Sequence, residues 1–209
     1  VGRLSDYANQ HMNEPPAEST GGREWPQRKW LRVVIPRMEG AELRTTPNGA
    51  KVFEFSPMVI GGEPGTERTK GWNTRLSAWL NDRDGDPNVP GGMFVGLLNA
   101  LFSPGVGEGM DPQQRKTARW NNTLKVLDEI AETLNVDPNE AESLPVALAG
   151  LAIQALTTGA RSLLVQVYVP QGQSYPRLAR IADDTPANRE KFKVQTWIDE
   201  AEAGLDAAY

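Results

Sequence analysis

The chain has 209 residues, 39% of them hydrophobic, with no cysteine, one histidine and a formal net charge of −5. That length holds one substantial domain, and no apolar run approaches the ~20 residues that a membrane-spanning helix needs. The absence of cysteine excludes disulfides and thiolate chemistry, and the acidic balance excludes a protein that coats duplex DNA by charge excess alone.

Charge is graded along the chain. Residues 1–80 carry 11 basic and 9 acidic side chains, residues 81–180 carry 8 and 11, and residues 181–209 carry 3 and 7. Residues 1–28 hold Pro15, Pro16, Gly21 and Gly22 among polar groups, which predicts a flexible arm. Trp25-Pro26 marks where that arm meets the body. Residues 30–36 read as a strand, with Leu31, Val33 and Ile35 on one face and Trp30, Arg32 and Val34 on the other. Pro47-Asn48-Gly49 is a turn, and residues 50–60 resume extended structure, with Pro57 marking an edge or a bulge. Residues 72–80 alternate again, Thr74, Leu76, Ala78 and Leu80 against Asn73, Arg75, Ser77 and Trp79.

The period then changes. Met93, Leu97, Leu98, Leu101 and Phe102 recur at helical spacing. Asp111-Pro112 reads as an N-cap followed by proline at the first helical position. The helix it starts carries Trp120, Leu124, Leu127, Ala131 and Leu134 in one stripe. A further helix is predicted near 145–157, ending at Gly159. Leu163, Val165, Val167 and Val169 then face one side of a strand, with Gln166 and Tyr168 on the other, and residues 175–181 return from a turn at 170–173. Thr185-Pro186 caps a last amphipathic helix bearing Phe192, Trp197, Ile198 and Ala201, and an acidic tail follows.

Enzyme signatures are poor. His11 is the only histidine and has no cysteine to join it in a metal site or nucleophilic triad. The run Asp82-Arg83-Asp84-Gly85-Asp86 resembles the start of a calcium loop, but Pro87 and Met93 stand where glycine and glutamate are required. The glycines at 105, 107 and 109 lack the preceding strand of a dinucleotide fingerprint. The expectation is a non-enzymatic protein with no cofactor and no metal. What stands out instead is aromatic and basic residues alternating on strands: rings on which bases stack, and guanidinium groups that follow phosphates. The candidate nucleic-acid-binding residues are Trp30, Arg32, Lys51, Trp72, Arg75, Trp79, Tyr168 and Arg177. Arg180 is a further cation, on the opposite face from Arg177 unless the strand bulges.

The order is three strands, a helical insertion, two strands, a helix and an acidic tail. With Trp30–Ile35, Pro47-Asn48-Gly49, Lys51–Ile60, Asn73–Leu80, the helical segments Arg119–Leu124 and Glu132–Asp137, and the closing hairpin Leu163–Ile181, the chain resembles phage-type single-stranded DNA-binding proteins with an OB-fold. The resemblance covers roughly residues 28–182 and lies in the arrangement more than in any short motif. It implies an α+β fold: an OB-like five-stranded barrel over residues 29–182, a helical insertion at 92–157 after the third strand, and a C-terminal helix and acidic tail at 183–209. It also implies single-stranded DNA as partner, replication proteins met through the acidic C-terminus, and a role in replication or recombination. The expected setting is intracellular, in the host cytoplasm if the protein is viral, without membrane association; a homo-oligomer is left open. A rival reading is a virion structural or assembly protein that uses its arm and helices for subunit contacts.

Overall fold

A computed structural model describes residues 24–36 and 40–203. Most of the expected arm (residues 1–23) and the tail from Gly204 lie outside the described residues.

The fold is mixed α+β, with two antiparallel sheets and helices packed against a core that both sheets share. Strands β1 (Trp30–Ile35), β4 (Met58–Gly62), β6 (Arg161–Tyr168), β7 (Arg177–Asp183) and β8 (Gln195–Thr196) form one sheet in the order β7-β6-β1-β4-β8. Strands β2 (Ala41–Thr45), β3 (Lys51–Phe55) and β5 (Leu76–Trp79) form the other, in the order β2-β3-β5. The predicted run 50–60 is therefore two strands in different sheets. Pro57 has no N–H to extend a ladder, so the chain bends at Ser56-Pro57 and changes sheet there. On the partner arm β1 and β2 likewise belong to different sheets. One long bent hairpin thus contributes a strand from each arm to each sheet. The two sheets do not close into a continuous barrel, since β5 and β7 lie side by side without ladder bonds.

Period-two burial builds the shared core. Leu31, Val33 and Ile35 of β1, Phe53 and Phe55 of β3, Leu76 and Ala78 of β5, and Leu163, Val165 and Val167 of β6 all point into it. Helix α1 (Gly92–Phe102) fills it with Phe94, Leu97, Leu98 and Leu101. Helix α2 (Pro112–Leu134) starts where expected, Asp111 accepting the Gln113 and Gln114 N–H groups at 3.0 and 3.1 Å, and ends at Asn135 in the left-handed conformation. Its stripe is only partly covered: Leu127 and Ala131 are buried, Trp120 and Leu124 half-buried, and Leu134 exposed. Helix α3 (Leu144–Thr158) is rich in alanine and leucine and closes the core from that side.

The predicted last helix is the main correction. Helix α4 (Pro186–Lys191) runs for 6 residues, and Lys193 takes a left-handed φ of 54° that ends it. The chain then extends as β8 on the free edge of β4. Phe192, Trp197 and Ile198 therefore lie on no common helical stripe. Phe192 stacks on Trp30 at 4.3 Å, and Ile198 packs with Val34 and Ile60. The free N–H and C=O groups of the β4 edge are what extended chain can satisfy and helix cannot.

Candidate nucleic-acid interface

This C-terminal segment decides the fate of two predicted contact residues. Trp30 and Arg32 do face away from the main core, but segment 184–203 covers that side of β1. Arg32 is only 2% exposed. Its Nε donates to Asp184 Oδ2 at 2.7 Å, its Nη1 to Thr196 Oγ1 at 3.0 Å, and its Nη2 to Glu200. The guanidinium expected on phosphates is thus occupied inside the chain, and Trp30 is buried under Phe192 and Val194. Trp72 is half-buried, edge-on to Trp25 at 5.2 Å, and so serves to fasten the residues just before β1 to the body.

The outer face of β2-β3-β5 is different. Register sets Arg44, Val52 and Trp79 in one row across it, and Glu42, Glu54 and Ser77 in the next. Trp79 is 57% exposed, the most open tryptophan among the described residues. Beneath the surface Glu54 is almost fully buried and draws in two cations: Arg44 Nη1 donates to its Oε2 at 3.0 Å, and Arg75 Nε lies 3.1 Å from its Oε1. Both arginine side chains stay more than half exposed. One buried carboxylate thus orients two guanidinium groups near an open indole, leaving their remaining N–H donors toward solvent. Arg44 was not singled out from the sequence, because nothing local marks β2 as Arg75's neighbour across β3.

Beside Trp79 the surface falls into a cleft of about 880 Å3, framed by the β2–β3 turn, the loop after β5 and the first turns of α1 and α3. Lys51 and Arg83 line it, and Lys51 is ion-paired with Glu142.

Predicted residues on the other sheet form a second patch. The β6–β7 ladder slips by one residue between Gln166 and Val167, so Arg177 pairs with Tyr168 and Arg180 with Gln166. The bulge turns Arg177 and Arg180 to the same side as Tyr168 and Gln166, which unbulged strand periodicity forbids. Both arginines are exposed, and Tyr168 is half-buried. Because both sheets turn their inner faces to one core, their outer faces adjoin where β5 meets β7.

Behind this seam lies a buried polar cluster. Ser103, Thr123 and Asn99 are joined through hydrogen bonds of 2.7 and 2.8 Å, and Arg119 pairs with Asp183 at the end of β7. Burial pushes the Asp183 carboxyl above its ordinary value, against the opposing pull of Arg119 and the Gly105 N–H. The cluster ties α1, α2 and the loop after α1 to β7.

The chain matches no family model, no curated protein and no solved structure.

Proposed function

We propose that the protein binds single-stranded DNA without base-specific readout, through the outer face of β2-β3-β5 and its continuation onto β7, and acts in phage-type replication or recombination. The observation that carries this reading is the open indole of Trp79 beside Arg44 and Arg75, both oriented by Glu54. An aromatic surface flanked by exposed guanidinium groups suits a strand whose bases stack and whose phosphates need cations. Arg177 and Arg180 extend the cationic surface beyond the seam. The acidic C-terminus would meet replication proteins through Asp199 and Glu202, which stay exposed while Glu200 is held by Arg32.

We also infer an OB-like barrel. Counting the bent hairpin β1/β2 and β3/β4 as first and second strands, β5 as third and β6 and β7 as fourth and fifth, ladder bonds join first to second, second to third, first to fourth and fourth to fifth. The remaining contact of such a barrel, third to fifth, corresponds to the unbonded β5–β7 seam; these barrels are often partly open, and they bind oligonucleotides on the face of the second and third strands.

One feature favours the rival assembly reading: Leu134, Val136 and Leu144 are exposed around the α2–α3 connection. Titration with oligo-dT and a matched duplex at two salt concentrations separates the two. Saturable tryptophan quenching by oligo-dT, weaker for duplex and reduced by salt, is expected. Absence of both quenching and a mobility shift at low salt would sink the DNA-binding reading and leave assembly.

A further inference from the structure

We propose that the cleft beside Trp79 is a nucleotide pocket, taking one nucleotide with its base on the indole and its phosphate between Lys51 and Arg83. The inference rests on the nucleic-acid reading and adds a cleft, half open to solvent, to its open sheet face. At about 880 Å3 the cleft falls within the ~300–1,000 Å3 range of small-molecule pockets. Its lining supplies both kinds of group a nucleotide needs, an aromatic face and two cations.

The carboxylates of the cleft support the assignment. Asp82 is turned into its own loop, its Oδ1 accepting the N–H groups of Asp84 and Asp86 at 3.1 Å each. Glu142 is the one that meets a cation: its Oε1 pairs with Lys51 Nζ. Glu142 thus holds the position on Lys51 that a phosphate oxygen would take, and a carboxylate is the side chain closest to phosphate in charge and acceptor geometry. The pair is exposed on the Glu142 side, so exchanging one anion for the other costs little. Gly91 lets the loop after β5 pack closely in the cleft wall: a Cβ there would run into the Asn81 carbonyl oxygen and come within 2.9 Å of the Trp79 one.

The test uses the full chain with dTMP as probe, read by tryptophan fluorescence and calorimetry, alongside oligo-dT. Saturable dTMP binding is expected. Lys51→Gln and Arg83→Gln should each weaken it about tenfold or more, the loss of a charge-assisted hydrogen bond. Glu142→Gln should tighten it, because Lys51 is then free for phosphate; a merely structural role for the pair predicts no gain. Arg44→Gln with Arg75→Gln should weaken oligo-dT by a larger factor than it weakens dTMP, since these cations lie on the open face and not in the cleft lining. The inference is overturned if oligo-dT binds the unaltered chain but dTMP does not, or if dTMP affinity ignores all three cleft substitutions; the open-face reading survives either result. If neither ligand binds the unaltered chain, both fall together.

Discussion

Trp79 is exposed because strand alternation turns it away from the core, and it sits on β5 opposite Val52, which it helps to cover. Trp79→Ala should therefore alter stability by less than about 1 kcal/mol, as surface substitutions do, yet remove about 1–3 kcal/mol of single-strand affinity. Thermal melts and oligo-dT titrations of the variant check both halves; a large loss of melting temperature with affinity intact would show that the ring is structural. Asp183 makes a prediction of the opposite kind. Burial raises its pKa, so the folded chain holds the proton more tightly than the unfolded one. Its contribution to stability is full below the ordinary aspartate value of 3.8 and is lost as pH rises through the folded-state value. Asp183→Asn removes this dependence. Across a pH series of melts, the stability of the unaltered chain relative to the variant should fall as pH rises from about 4 toward neutrality; a flat difference would show that Arg119 outweighs burial.

The edge of β4 shows how one element recruits another. Gly61 and Gly62 leave room for β8 and for the Trp197 ring to lie against the sheet. A Cβ at Gly62 would run into Thr66 Oγ1 and come within 2.9 Å of Trp197 Cη2 and 3.0 Å of Leu31 Cδ2. Gly62→Ala should cost about 1–3 kcal/mol by overpacking and loosen the C-terminal segment. A lower melting temperature with a red shift of tryptophan emission is the expected signature, and a variant indistinguishable from the parent would show that Trp197 does not need this seat. Helix α4 fits the same account. Its Thr185 cap and Pro186 start it as the sequence predicts, but 6 residues give it too little hydrogen bonding to persist against the open strand edge beyond.

Across the molecule, segment 184–203 acts as a strap over the second face of the larger sheet. It covers Trp30, Val34, Ile60 and Leu164 and neutralises Arg32. Burying a large apolar side chain contributes about 1.5–3 kcal/mol, so uncovering four of them competes with the whole net stability of a typical domain, about 5–15 kcal/mol. A chain ending at Asp183 should lose its cooperative melt and bind a hydrophobic dye, and a sharp transition near the parent's temperature would show that the strap is dispensable. The same segment explains why a basic residue on an outward strand face need not be a contact residue: Arg32 answers Asp184 and Glu200 from 152 and 168 residues away.

Local chemistry was legible in the chain. The alternation of Leu31, Val33 and Ile35, the Asp111-Pro112 start of α2, the turn at Asn48-Gly49 and the outward position of Arg75 and Trp79 each depend on neighbours within a few residues, whose sterics and hydrogen bonds act wherever the segment lies. The covering of Trp30 and Arg32, the sheet change at Pro57, the bulge that aligns Arg177 with Arg180, and the pairing of Arg44 with Arg75 through Glu54 had no local signature. Periodicity tells which residues share a face, but not what comes to lie on that face. That depends on contacts between segments far apart in sequence, and here it divides the predicted binding residues into a buried set around Arg32 and an open set around Trp79.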